Sequence, residues 1–172
     1  MKTFQWRHTD WWGRNFMFLM DQATIGELSF YGSWHFNAVY TDRETHLKFA
    51  RKSFWDNDIR ITQGGQIMGT LHKLFFGQQV LTLPSGERFT LSTSFWEQEV
   101  YWRNENGNTV IRYQQATMSS MGKGSISVQD TLPMDTQRVL MAGGLFARHL
   151  RRKKASLLVA FFFPMMIALR HV

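Results

Sequence analysis

Apolar and polar residues alternate with period two through roughly the first 130 positions, which predicts a succession of β-strands. Thr3 to His8 and Phe16 to Asp21 begin the series, split by a corner at Trp11-Trp12-Gly13, and Ile25 to Tyr31 ends at Gly32. Trp34, Phe36, Ala38 and Tyr40 then share one face, with His35 and Asn37 on the other. Leu47 and Phe49 alternate with Lys48 in a strand that could run on to Phe54-Trp55. Ile59 and Ile61 alternate with Arg60 and Thr62, and Gly64-Gly65 turns the chain into Gln66 to Lys73. Gln79 to Leu83 and Arg88 to Phe95 flank the turn Pro84-Ser85-Gly86-Glu87. Val100 to Arg103 and Thr109 to Gln114 flank Asn106-Gly107, whose residues accept the positive φ of a type I′ hairpin turn. Ser125 to Gln129 is the last strand. Roughly ten to twelve short strands in meander order predict a sandwich or a closed barrel.

The pattern changes after Pro133. Asp135 can cap a helix, and Met134 and Val139 stand at the spacing of a hydrophobic staple. Val139 to Ala147 has no polar side chain, so a helix there must be buried on every side or lie in lipid. About nine apolar residues cannot cross a bilayer, which takes roughly twenty. A closed antiparallel barrel wrapped around a hydrophobic helix at 135–150 meets these demands. Arg151-Arg152-Lys153-Lys154 follows, and a second apolar stretch runs from Ala155 to Leu169. The expected division is a barrel with its helix over 1–150 and a basic, then apolar, tail over 151–172.

Composition narrows the class. The 172 residues suffice for one domain with its own core, and 44% hydrophobic with 15% aromatic content excludes disorder. Without cysteine there is no disulfide, thiolate metal site or cysteine nucleophile. The start of the chain lacks the apolar run of a signal peptide, so a cytoplasmic location is expected. All 13 Asp and Glu lie at or before residue 135 together with 13 of the 20 Lys and Arg, which leaves that body neutral. The formal +7 therefore sits in Arg138, Arg148, Arg151, Arg152, Lys153, Lys154 and Arg170. A neutral body is no footprint for nucleic acid, whereas positive charge beside an apolar segment resembles a membrane-surface element.

The strand count and the stretch Pro133-Met134-Asp135, then Arg138 to Phe146 with its small residues, resemble the tubby C-terminal-like superfamily, which includes phospholipid scramblases, LURP-one-related proteins and small bacterial relatives. The likeness covers roughly residues 16–150 and rests on pattern. It implies a closed barrel of about twelve strands around a central hydrophobic helix. The family's phosphoinositide-binding Lys and Arg pairs and its calcium-binding segment find no counterpart, and Ala155 to Val172 extends past the expected helix.

The candidate chemistry is sparse. Membrane or lipid contact is assigned to Arg151, Arg152, Lys153 and Lys154, set against anionic head groups, and to Leu157, Leu158, Phe161, Phe162 and Phe163. The competing readings of 155–169 are core (the true barrel plug, or a helix beside it) and an oligomer contact, and Pro164 would kink a helix there. The six histidines show no metal-ligand spacing and read as exposed strand or loop residues. Asp56-Asn57-Asp58 is too short for a calcium loop. Glu97 and Glu99 could share a strand face but adjoin a polar hairpin, and no G-x-S-x-G elbow exists. Trp6-Arg7 and Trp102-Arg103 could stack on nucleic-acid bases, although inward alternation explains the tryptophans as core. Gly32-Ser33-Trp34 matches the opening of lipocalin barrels, a motif of low specificity. The expected protein is a non-enzymatic, lipid- or membrane-associated barrel, peripheral or tail-anchored, without cofactor or metal. The rival is a lipocalin-like barrel that binds a small apolar ligand.

Overall fold

The computed structural model describes residues 1–10, 14–32, 37–51, 58–73, 78–93, 99–116 and 122–168, with the side chains of 73 and 153–168 left aside. The expected corner at 11–13, the alternating Trp34 and Phe36, the strand continuation to 54–55 and the Gly-x-Trp match at 32–34 fall wholly or partly outside those residues, as do Asp56-Asn57 and Glu97.

Twelve strands follow one another: β1 (Lys2–His8), β2 (Asn15–Met20), β3 (Ala23–Tyr31), β4 (Asn37–Asp42), β5 (His46–Arg51) and β6 (Ile59–Gln63), then β7 (Gln66–Lys73), β8 (Gln79–Thr82), β9 (Arg88–Thr93), β10 (Glu99–Arg103), β11 (Thr109–Gln115) and β12 (Lys123–Val128). Each pairs antiparallel with its neighbour in sequence, and β1 pairs with β12, so the sheet closes into a barrel. The strand periodicity is realised as two facings. Phe4 and Trp6, Phe16 and Phe18, Leu47 and Phe49, and Ile126 and Val128 point inward and are buried, while Gln5, Lys48 and Arg112 point to solvent. Each inward Phe, Leu or Ile contributes roughly 1.5–3 kcal/mol by leaving water.

β2 and β3 are joined by Asp21 and Gln22 at φ 49° and 68°, where the sequence pattern carries a strand through Asp21. Gln is an uncommon residue in the left-handed region, which hides this turn from a reading by residue type. Gly64-Gly65 and Gly107 take positive φ as the turn residues predict.

The closing joint is tight. Trp6 of β1 faces Gly124 of β12, and a Cβ on Gly124 would stand 2.0 Å from the Gln114 carbonyl oxygen and 2.8 Å from the Trp6 indole nitrogen. Glycine is the residue that lets β1, β12 and β11 come this close. At the end of the same joint the amino group of Met1 meets Asp130 at 2.5 Å.

One helix, α1 (Met134–Ala168, 35 residues), completes the chain. It corrects the expectation of a helix ending at 150 before a separate apolar segment: the backbone stays helical through the basic cluster and on to Ala168. Asp135 lies in the first turn, while Gln137 N–H bonds to the Pro133 carbonyl at 2.9 Å, and Met134 is 53% exposed, so neither the cap nor the staple forms as expected. From Val139 to Leu150 every residue is buried. Strands on all sides touch this segment: Phe30 of β3 and Phe49 of β5 stack on Phe146, Trp102 of β10 bonds to Leu140, and Trp6 of β1 carries Arg148 over its ring. The first half of α1 is therefore the plug of the barrel.

Two interactions fix its depth and rotation. The Trp102 Nε1–H donates to the Leu140 carbonyl at 2.9 Å, and the Tyr113 hydroxyl reaches the Leu140 and Met141 carbonyls at 2.7 and 3.1 Å. Gly144 makes room for that phenol, since a Cβ there would lie 2.3 Å from its oxygen.

Candidate functional site

The barrel has two ends. At the upper rim, where α1 begins, Asp42 shapes the β4–β5 turn by accepting the backbone N–H groups of Glu44 and Thr45 at 2.9 and 2.7 Å. Its other oxygen meets Arg138 Nε at 3.0 Å, and the same guanidinium bonds to Glu44 at 2.6 Å. The hydrogen bond that Arg138 donates to Glu44 raises the Arg138 pKa most, with the Asp42 charge acting in the same direction. Tyr40 donates to Asp42 at 3.1 Å, and burial first, then the Asp42 charge, pushes its pKa far up. This cluster is a latch that ties the first turns of the helix to a hairpin.

At the lower rim α1 passes out of the barrel through three arginines. Arg148 is buried, its guanidinium 5.0 Å from the centre of the Trp6 ring, and it donates to the Gln115 side-chain oxygen at the end of β11. Arg152, one turn on and exposed, donates to the same oxygen at 2.7 Å. Arg151, half-buried, donates to the Thr93 hydroxyl at the end of β9. Among the described residues no carboxylate pairs with Arg151 or Arg152, so neutral acceptors hold these cations in place without cancelling their charge. Gln115 also lines an open cleft of about 590 Å³ on the outer wall of the β1–β12–β11 joint, with Arg7 and Lys123 at its sides.

Two histidines belong to this end. His149 is buried, stacked on Phe30 with ring centres 3.8 Å apart, which corrects the expectation that each histidine is exposed. His8 is half-buried beside Phe16. Burial lowers its pKa most, and Arg152 and Arg148 push the same way against the opposing pull of Asp10. His72 pairs with Asp58 at 2.9 Å and His46 is bonded to Thr41, while His35 and His171 lie outside the described residues. No group of metal ligands forms among the described residues. Glu99 accepts from Gln114 at 2.8 Å on the outer wall. Trp6 and Trp102 face the helix, and Arg103 lies instead over the outward Tyr101, so these pairs make no stacking platform.

The structure thus gathers Arg151 and Arg152 at the helix exit. Lys153, Lys154, Leu157, Leu158, Phe161, Phe162 and Phe163 follow on the same continuous helix, their side chains outside the description. Sequence reasoning missed Arg148, Gln115, Thr93 and His8 as members of this end. A fold with known strand ends would have found them, because residues at 93, 115 and 8 close three strands on one rim. Among the described residues no helix is long and apolar enough to cross a membrane. Comparison with known protein families, curated proteins and solved structures finds no match.

Proposed function

We propose that the protein is a non-enzymatic module that associates with lipid, holding its plugged barrel at the cytoplasmic face of an anionic membrane through the second half of α1. The observation that carries this reading is the continuity of the helix. One element is core up to Leu150, presents Arg151 and Arg152 where it leaves the barrel, and remains helical through the apolar sequence from Ala155 to Ala168. Fourteen helical residues extend about 21 Å, short of the ~30 Å hydrocarbon core, which favours insertion into one leaflet over a full crossing. The ring of twelve strands around a buried helix supports kinship with tubby-like barrels. A lipocalin-like role loses support because the helix occupies the interior that such a ligand would need.

The test is co-sedimentation with phosphatidylcholine–phosphatidylserine vesicles, using the full chain and a chain ending at Lys154, with thermal melting of both. The expected result is that the full chain pellets with vesicles, while the shortened chain stays in solution and melts cooperatively. If the shortened chain fails to fold, residues 155–169 belong to the core and the reading falls.

A further inference from the structure

The outer wall of the barrel is hollowed where the sheet closes. The open cleft of about 590 Å³ over the β1–β12–β11 joint has the size of a small-molecule site. Strand register decides what faces it. Outward residues of neighbouring strands fall into rows across the sheet, and two such rows cross the cleft.

In the first row Arg7 of β1 stands directly opposite Lys123 of β12, and both are exposed. Met17 of β2 flanks Arg7, and Ala116, whose N–H donates to the Lys123 carbonyl at 2.9 Å, flanks Lys123. The Arg7 guanidinium touches only the Met17 sulfur, at 3.8 Å, and among the described residues no carboxylate pairs with either cation. Toward β3 the first acid is Glu27, opposite Met17 and accepting from Ser29 at 3.1 Å. It stands two strands from Arg7, roughly 9–10 Å away. Like charges directly opposite one another destabilise a strand pair, and here they sit in the joint that closes the barrel. An anion held between them turns that repulsion into attraction.

The second row is neutral. Gln5 pairs with Ser125, and Ser125 with Gln114 of β11. Gln114 Nε2 donates to Glu99 at 2.8 Å, which leaves its carbonyl oxygen for another donor. At the lower edge of the cleft Gln115 holds Arg152 at 2.7 Å, a third cation beside the first two.

We propose that this cleft binds a small hydroxylated organic anion, a sugar acid or a sugar phosphate. Its charged group lies between Arg7 and Lys123 and its hydroxyls along Gln5, Ser125 and Gln114. Arg7 offers a planar fork to two oxygens of a carboxylate or phosphoryl group, and Lys123 a point charge. Amides and a hydroxyl both donate and accept, which matches a polyol body and not an apolar one. The site is on the outer wall, apart from the plugged interior, and is independent of the membrane reading above.

The test is calorimetric titration of the full chain with glucuronate and with glucose phosphate, against glucose and inorganic phosphate as controls. At least one of the two probes should bind, glucose should give no heat, and inorganic phosphate should bind severalfold more weakly. The tighter probe tells a carboxylate ligand from a phosphoryl one. Arg7→Gln and Lys123→Gln should each weaken binding about tenfold, while Lys48→Gln, an exposed cation elsewhere on the wall, keeps native affinity. Without ligand, the first two variants should melt no lower than the native chain, since each removes a repulsion; a lower melting temperature overturns the premise. Native affinity in the double variant overturns the site, and equal affinity for inorganic phosphate overturns the hydroxylated ligand. No heat from either probe at millimolar concentration overturns the proposal altogether.

Discussion

At the scale of single residues, the contact between Gly144 and Tyr113 does the most to position the plug. The phenol lies against the glycine and bonds to two helix carbonyls, so it measures both depth and rotation of α1. Gly144→Ala should cost about 1–3 kcal/mol through forced displacement of that ring, read as a lowered melting temperature. Tyr113→Phe should cost about 1–2 kcal/mol from the lost hydrogen bonds. In the double variant the two costs should add to less than their sum, because the alanine then displaces a ring that no longer holds a fixed place. Gly144 stands in the sequence only as one of several small residues, and nothing in the pattern shows that a tyrosine thirty-odd residues earlier packs against it. His8 offers a second test. Its folded pKa lies below its unfolded value near 6.5, so its contribution is present above that pH and is lost as the pH falls through it. Between pH 7.5 and 5.5 the native chain should lose more thermal stability than His8→Gln, and equal losses would assign the acid sensitivity elsewhere.

At the scale of elements, the helix is where expectation and structure part. Its beginning and its buried stretch were legible, because nine consecutive residues without a polar side chain admit few environments in water. Its length was not. Arg151 to Lys154 interrupts the apolar pattern, but Arg and Lys are good helix formers, so the break in hydropathy is no break in the backbone. The strands were legible almost throughout, since period-two alternation reports a sheet with one wet and one dry face. Their ends were less so: β12 begins at Lys123, two residues ahead of the expected Ser125, because Gly124 hides the alternation at the joint. The latch at the start of α1 was invisible, as Asp42 and Arg138 are brought together by the closed sheet alone. Arg138→Ala leaves the Asp42 carboxylate, 7% exposed, beside Tyr40 without its cation. The expected loss is about 2–3 kcal/mol, and adding Asp42→Asn should restore part of it, as denaturant melts would show.

At the scale of the whole molecule, Arg148, Arg151 and Arg152 gather where the helix leaves the barrel, at one rim. Membrane affinity should therefore respond to residues at one rim and fall as salt rises. Arg152→Ala should weaken partitioning to phosphatidylserine vesicles about fivefold, whereas Lys48→Ala, on the outer wall, should leave it unchanged. Comparable losses from both would mean that overall charge, and not its placement, governs binding. Closing the sheet has another consequence. A ring has no free edge, so a folded copy offers nothing for a second copy to add a strand to. One joint of the ring is made by the two strands farthest apart in the chain and is fitted around Gly124. Whenever β1 lifts from β12, two unpaired edges appear together, one able to accept a strand from another molecule and one able to supply it. A side chain at position 124 should make that opening more frequent, so Gly124→Ala is expected to aggregate faster than the native chain, read by light scattering, at temperatures below its own melting transition.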